Sequence, residues 1–138
     1  MLKRFGSCQK GAAAVEFALL LIPLVLITFG VIEFGLCIHN KLVLTYASRE
    51  GARAGAVDHL TQTAIAAVVE ERCNKAILVS FDKTEPLTTT SSPAAICTAP
   101  GDLTVTVTHK YTFLVPLMFP FGTDHKINLT AVTVMRCE

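Results

Sequence analysis

The feature that most constrains this chain is an apolar run close to its N-terminus. Residues 17–32 carry no charged side chain, and the wider run of residues 12–38 contains two, Glu16 and Glu33. The charge-free core corresponds to about 24 Å of α-helix, and a bilayer core is crossed by about 20 apolar residues. The run therefore predicts one transmembrane helix, with a carboxylate near each membrane interface.

The basic residues before this run predict its direction. Lys3, Arg4 and Lys10 precede it, and no acidic residue lies among them. Because short cytoplasmic segments carry an excess of Lys and Arg, the N-terminus is expected in the cytoplasm. The remainder of the chain, from about residue 39, is then expected outside the cytoplasm.

A cleaved secretory signal is the competing interpretation of the same run. The apolar core of such a signal has about 7–15 residues and ends in a small-residue cleavage site. This run is longer, and it ends in the sequence GLCI, which matches that site poorly. We therefore expect the segment to remain as an anchor.

Helical periodicity continues beyond the apolar run. Ala47, Gly51 and Gly55 are four residues apart, so they share one face of a helix. Small residues at this spacing let a second helix approach closely, whereas glycine in a helix interior also favours a flexible hinge. Both interpretations remain open, and residues 39–75 are predicted to be an extracytoplasmic helical region.

A second helix is predicted over residues 60–77, after a joint at Asp58 and His59. Thr61 or Thr63 is its expected N-cap. The charged residues near its end are expected to face water. Its apolar face is predicted to comprise Ala64, Ala67, Val68 and Ile65.

The C-terminal part, residues 76–138, has the pattern of a small antiparallel β-sheet. Residues 102–115 alternate between apolar and Thr-rich positions, which predicts a half-buried strand. Residues 126–136 are expected to pair antiparallel with it, and residues 77–81 form a third candidate strand. The predicted fold class is α+β, in which a long N-terminal helix carries this sheet.

Two further segments are expected to be loops. Residues 84–95, TEPLTTTSSPAA, are rich in Ser, Thr and Pro and have loop composition. Residues 114–121, LVPLMFPF, are apolar, and they either fold over the sheet or contact a membrane or a partner. We favour the first alternative, because large exposed apolar patches are uncommon.

Five cysteines constrain the covalent structure. Cys8 lies before the apolar run and Cys37 at its outer end. Cys73, Cys97 and Cys137 would lie in an oxidising compartment, where disulfides persist, so one bridge among these three is expected. A hairpin of the last two strands favours the pair Cys97–Cys137, and Cys73–Cys97 is the alternative.

No pattern of catalytic or metal-binding residues stands out in the sequence. The four histidines are scattered, and none is spaced from a Cys, an acid or another His as metal ligands are. Nucleophile, phosphate-loop and paired-carboxylate motifs are absent, so we expect no enzyme activity, no cofactor and no metal. The net charge of +1 disfavours nucleic acid as a partner. The histidines are His39, His59, His109 and His125.

The N-terminal motif resembles a known family. The sequence KGAAAVEFALLLIPLVLITFGVIEFG is similar to the N-terminus of type IV pilin-like proteins of the tight-adherence (Tad/Flp) system, in particular the TadE-like family. Precursors of this kind are cut after a Gly by a prepilin peptidase, and a Glu follows at the fifth mature position. Cleavage after Gly11 would make Ala12 the first residue and Glu16 the fifth.

The resemblance extends through the helical region that follows. Pro23, Gly30 and Glu33 match the family pattern, and ASREGAR resembles its AAREGAR stretch, with Ser48 in place of an Ala. The resemblance covers residues 11–53, less than half of the chain. It implies a pilin-like layout in which the matching residues and the small-residue stripe serve helix packing and assembly.

The resemblance also implies roles for two residues of the apolar run. By analogy with pilins, Glu16 would neutralise the new amine of Ala12 in an adjacent subunit and set the packing register. The alternative is that its side chain only reaches into the lipid headgroups. Pro23 would accompany a kink or local unwinding of the helix, because proline removes one helical hydrogen bond.

The function implied is that of a pseudopilin, or minor pilin, which supports assembly of a Tad/Flp pilus and surface adhesion. Residues 1–11 would be a cleaved cytoplasmic leader, and residues 12–38 would span the bacterial inner membrane below a periplasmic domain. Expected partners are a prepilin peptidase, other Tad pilins or pseudopilins, inner-membrane assembly proteins and membrane lipid. Two alternatives remain open: an uncleaved single-pass scaffold subunit of the assembly complex, and a membrane-anchored binding module.

Overall fold

The computed structural model describes residues 9–76, 87–94, 96–113 and 126–137. In chain order these form helices α1 (Gln9–Val57) and α2 (Gln62–Lys75) and strands β1 (Thr88–Ser92), β2 (Asp102–Thr112) and β3 (Lys126–Arg136). The predicted α+β class is confirmed, because a long N-terminal helix carries a second helix and a small antiparallel sheet. Predictions that lie outside the described residues concern residues 77–81, residues 114–121, Cys8 and His125.

Helix α1 has 49 residues and is therefore about 74 Å long. It continues through Pro23 without local unwinding, since one proline removes only one of the many hydrogen bonds that propagate the helix. From Gly11 to Ile32 no residue is buried, and the most apolar window has a mean hydropathy of 2.6. By length and composition, this helix fits a single-pass membrane anchor.

One face of the second half of α1 is covered by the rest of the chain. Glu33 is the first buried residue among those described, and Leu44, Ala47 and Ala52 are each at most 1% exposed. Small side chains at several of these positions let the helix lie close to its neighbours. Helix α1 is thus divided into an exposed N-terminal half and a C-terminal half with one buried face.

A short joint connects the two helices where the sequence predicts it. Helix α1 ends at Val57, and His59 turns the chain with a positive φ of 51°. Thr61, one of the two predicted candidates, is the N-cap residue of α2, but its side chain makes no capping hydrogen bond. The Thr61 hydroxyl instead lies 3.1 Å from the hydroxyl of Thr63.

The buried face of α2 differs from the predicted one. Ile65, Val69 and Cys73 are buried. They are four residues apart, and the branched side chains of the first two fit against glycines of α1, which sets the rotation of α2. The alanines of the predicted face offer less apolar surface. Of the predicted residues other than Ile65, Ala64 and Val68 are half-buried and Ala67 is exposed.

The three strands form an antiparallel sheet in the order β1-β2-β3. The predicted alternation along β2 is confirmed, because Leu103, Val105 and Val107 are buried and the threonines between them are half-buried. Strand β3 pairs with β2 over its whole length, with Ala131 opposite Val107. The predicted antiparallel pairing of the last two strands is therefore confirmed.

Strand β1 corrects the prediction of a loop for residues 84–95. Its sequence TTTSS pairs antiparallel with β2, and Ser91 lies opposite Val105. Threonine is β-branched and common in strands, so a Thr-rich segment can complete a sheet once a partner strand is present. Loop composition alone did not reveal that partner.

A disulfide closes one end of the sheet. Cys97 and Cys137 are joined, with their Cα atoms 5.9 Å apart. The amide of Cys137 donates to the carbonyl of Gly101 at 2.8 Å, which extends the pairing of β2 and β3 up to the bridge. A cross-link of this kind stabilises a small domain by about 2–4 kcal/mol. Among the described residues, Cys37 and Cys73 are free thiols.

Candidate functional site

The residues expected at a processing site lie on the exposed beginning of α1. Gly11, Ala12 and Glu16 are all exposed. A Cβ atom at Gly11 would meet no atom within 4 Å, so packing within the chain does not require glycine there. Within the described residues, Glu16 makes no hydrogen bond or ion pair. Its carboxylate is therefore accessible to a group outside the described chain.

Pro23 and Gly30 lie on the same exposed half of α1. Gly30 lies in a shallow apolar groove formed by helix residues alone. Within the described residues, Pro23 is exposed and Gly30 is half-buried among other residues of α1. Among the described residues, this surface is therefore left free for lipid or another partner. The groove is lined by Leu26, Ile27, Gly30, Val31 and Phe34.

Glu33 lies where the exposed and buried halves of α1 meet, and it faces the sheet. Its side chain is 4% exposed, and Oε1 accepts a hydrogen bond of 2.7 Å from the hydroxyl of Tyr111 on β2. The Tyr111 ring packs edge-on against Phe113, with centroids 5.3 Å apart. Hydrogen bonds to a carboxylate are stronger than neutral ones, and they offset the cost of burying it.

Glu33 was expected to serve assembly near the outer membrane interface. Its contact with Tyr111 gives it a role within the chain. The carboxylate is used inside the chain and joins the anchor helix to the sheet. The sequence contained a signal for the pair. Tyr111 occupies an apolar position in the alternation predicted for residues 102–115, and a buried tyrosine hydroxyl needs a hydrogen-bond partner.

The small-residue stripe of Ala47, Gly51 and Gly55 is also used within the chain. A Cβ on Gly51 would lie 2.6 Å from Cγ2 of Val69, and one on Gly55 would lie 2.6 Å from Cδ1 of Ile65. The second helix that the stripe admits is therefore α2 of the same chain. The stripe therefore admits a helix, as one of the two interpretations requires, and α1 continues through it unbroken. Its role in assembly stays a prediction.

Polar contacts tie α1 to β3, and sequence reasoning missed them. The Ser48 hydroxyl donates to the carbonyl of Thr45 at 2.9 Å and therefore accepts from the Thr133 hydroxyl at 2.8 Å. Nζ of Lys41 donates to the carbonyl of Thr130. Ser48, the departure from the AAREGAR pattern, thus makes a contact that an alanine cannot make.

A basic groove lies between α1, the end of α2 and the end of β3, and the sequence analysis did not identify it. Arg72 pairs with Glu50 at 2.9 Å within the groove. Beside it, Nζ of Lys75 lies 2.5 Å from Glu71, and this hydrogen bond holds the pKa of the Glu71 carboxyl below its usual value. The groove is lined by Val43, Tyr46, Ala47, Arg49, Glu50, Arg53, Arg72, Lys75, Ala76 and Met135.

The described residues contain no cluster of three or more His, Cys, Asp or Glu side chains that could hold a metal ion. His59 is used structurally, since its Nδ1 lies 3.1 Å from the carbonyl oxygen of Cys97. His109 is buried in the row of inward residues on β2. The candidate functional features are therefore the exposed surfaces of α1 and its contacts with α2 and the sheet.

Comparison with known proteins locates a family resemblance on this same helix. The family model described as TadE-like protein matches residues 11–53. Among curated proteins and among solved structures, none matches the chain significantly. The match indicates a Tad pilus-associated protein. The resemblance predicted from the motifs is confirmed: residues 11–53, less than half of the chain, are similar to the TadE-like family.

Proposed function

We propose that this chain is a TadE-like pseudopilin, a minor pilin that supports assembly of a Tad/Flp-type pilus and surface adhesion. One observation carries the proposal. The TadE-like match begins on a helix whose first half is apolar and makes no contact with the described remainder of the chain. Such a surface is stable only in lipid or against other apolar helices. A helix that is not packed into its own domain can exchange one surrounding for the other without unfolding that domain.

The proposal includes a location and a set of partners. The anchor crosses the bacterial inner membrane once, with the N-terminus in the cytoplasm, as the basic residues before the apolar run favour. The domain then lies in the periplasm, where the disulfide between Cys97 and Cys137 persists. The partners are a prepilin peptidase, other Tad pilins or pseudopilins and inner-membrane assembly proteins. The chain contributes structure to this machinery, without enzymatic activity.

Processing after Gly11 is supported by the observation that the fold does not require a glycine at this position. A side chain at Gly11 would have open space, so neither packing nor backbone conformation calls for glycine. Recognition by a peptidase supplies a reason for it. The cut would expose an amine at Ala12 and leave Glu16 at the fifth position, with its side chain exposed to a neighbouring subunit.

N-terminal sequencing and intact mass of the chain co-expressed with a prepilin peptidase test the proposal. We expect a start at Ala12 and a product of 127 residues, 138 minus the 11 removed. Gly11→Leu should abolish the cut. Gly35→Leu is the matched control, because a side chain at Gly35 also meets nothing within 4 Å.

An intact Met1 start, with the peptidase active on another pilin in the same cells, would refute the pseudopilin. It would favour a permanent scaffold subunit of the assembly complex. Presence of the processed chain in sheared surface material tests the further step, entry into the pilus. Retention of all processed chain in the membrane would contradict that step.

A further inference from the structure

The basic groove has the composition of a binding surface for an anionic, partly apolar partner. Its cavity volume is about 460 Å³. Helix α1 supplies Tyr46, Arg49 and Arg53 to its wall, and α2 supplies Arg72 and Lys75. Apolar side chains complete the lining, namely Val43, Ala47, Ala76 and Met135.

The cations of the groove are only partly neutralised. Among the described lining residues, Glu50 is the one carboxylate, and it pairs with Arg72, while Lys75 pairs with Glu71 beside the groove. Arg49 contacts the ring of Tyr46, with the guanidinium carbon 6.0 Å from the centroid. Within the described residues, neither Arg49 nor Arg53 has an ion pair. The whole chain has a net charge of +1, so this local excess of positive charge is a concentrated feature.

The two unpaired guanidinium groups are arranged to act together. Arg49 and Arg53 are four residues apart on α1 and therefore share one face of the helix. Guanidinium groups bind carboxylates through two parallel hydrogen bonds, which fixes the orientation of the partner as well as attracting it. Two carboxylates spaced by one helical turn would match them.

The position of the groove along α1 separates a protein partner from lipid headgroups. The apolar run ends near Ile38, and Arg49 and Arg53 lie about 17 and 23 Å further along the helix axis. The headgroup layer on one side of a bilayer is only about 5–8 Å thick. A helix tilt of about 20° shortens these heights by only about 6%. Both guanidinium groups therefore stand beyond the lipid phosphates.

We propose that this groove binds an acidic segment of a partner protein, whose carboxylates pair with Arg49 and Arg53 while an apolar side chain packs on Val43 and Met135. The exposed ring of Tyr46 provides one wall for that side chain. The inference goes beyond the pseudopilin proposal, because the groove has the same charges whether or not the leader is removed.

Fluorescence anisotropy with the full chain in phosphatidylcholine nanodiscs tests the proposal. The probe is a fluorescein-labelled helical peptide of Glu, Leu and Ala with two Glu residues four apart, and its control has Gln in place of Glu. We expect the Glu peptide to bind at least tenfold more tightly than the Gln peptide. The difference should shrink at high salt, since partly exposed charges are screened.

Substitutions locate the binding. Arg49→Gln with Arg53→Gln should weaken binding of the Glu peptide by about tenfold or more. Arg136→Gln should leave it unchanged, because this exposed arginine lies outside the groove. Equal binding to the double variant, or no binding of the Glu peptide up to millimolar concentration, would overturn the proposal.

The lipid composition provides a separate outcome. We expect the peptide affinity to be the same in nanodiscs with and without phosphatidylglycerol. If anionic lipid instead displaced the peptide from the wild type, and the double variant were insensitive to lipid, the groove would face a membrane surface. That result would refute a protein partner.

Discussion

Glu33 is the residue at which α1 changes its surroundings. On its N-terminal side no described residue from Gly11 onward is buried, and on its C-terminal side the helix packs on the domain. Its hydrogen bond with Tyr111 joins residues 78 positions apart in the chain. A carboxylate that ends an apolar run is thus also a joint between the anchor and the sheet.

The first prediction concerns this hydrogen bond. Tyr111→Phe removes the donor while keeping the ring, so the free energy of unfolding of the domain should fall by about 1–3 kcal/mol. Pulse proteolysis in urea, on the full chain in detergent micelles, measures it. Tyr46→Phe is the control, because Tyr46 is 64% exposed and should lose little. Equal losses in the two variants would contradict a specific role for the bond.

The second prediction concerns the free thiol of Cys73. Burial, with a smaller contribution from Glu70, raises its pKa from 9.0 to about 11. Below pH 9 the native thiolate fraction should therefore be about a hundredfold smaller than in the unfolded chain, and alkylation should slow accordingly. Mass spectrometry of iodoacetamide labelling at pH 8, with and without urea, measures the ratio. Cys8→Ser and Cys37→Ser remove the competing thiols.

The same shift sets the sign of a pH dependence. Because the folded pKa lies above the unfolded value, the unfolded chain releases the Cys73 proton first as the pH rises. Stability should therefore fall between about pH 9 and pH 11. Cys73→Ala should remove this part of the slope. An unchanged slope, or equal labelling of native and unfolded chain, would contradict the burial of the thiol.

At the scale of elements, the contact between α1 and α2 depends on two glycines of α1, which have no side chain to keep the helices apart. Gly51 admits Val69, and Gly55 admits Ile65 together with Leu103 of β2. Sequence analysis found the stripe but left open whether it serves packing of a second helix or a hinge. The partner could not be predicted, because the spacing of small residues shows that a helix approaches and does not show which helix.

The third prediction follows from this contact. Gly51→Ala should destabilise the domain by about 1–3 kcal/mol, because the new methyl group would lie 2.6 Å from a branched side chain with few rotamers, Val69. Helix propensity alone favours alanine by about 1 kcal/mol, so the sign of the change in the free energy of unfolding tests the packing. Gly35→Ala, with open space, should show no loss. Urea denaturation of both variants measures the difference, and a stabilised Gly51→Ala would contradict the close approach.

The elements with strong periodicity were predictable, and those decided by tertiary contacts were not. The apolar run and the alternation along β2 are local patterns, and both elements appear where they were expected. Strand β1 was missed because its Ser and Thr residues have loop composition. Its pairing with β2, which the local sequence does not reveal, explains why it forms a strand. The face of α2 was wrong because the glycines of α1 decide its rotation. The basic groove was missed because three elements build it.

At the scale of the whole molecule, an exposed apolar helix and a compact domain share one continuous α1. Assembly on the proposed pilus would use the exposed half, where Glu16 lies. The fourth prediction is that Glu16→Ala still inserts into the membrane but co-purifies poorly with pilus partners, because it lacks the charge that pairs with a neighbouring amine. Quantitative affinity purification measures the yield of partners.

Glu70→Ala is the control for this prediction, because Glu70 is an exposed carboxylate on the domain. It should retain its partners while removing the same charge. Normal co-purification of Glu16→Ala would contradict the pairing and leave Glu16 as a carboxylate that only reaches the headgroups.

Because α1 is continuous, the orientation of the domain about the helix axis is fixed relative to Glu16. Glu16 and Glu33 are seventeen positions apart, which at about 100° per residue sets their side chains about 100° apart around the helix axis. One residue inserted between Ile32 and Glu33 would swing the domain by about 100°, whereas seven would return it to within about 20° and lift it by about 10 Å. The number of residues between Glu16 and Glu33 thus determines which way the domain faces relative to a neighbour bound at Glu16.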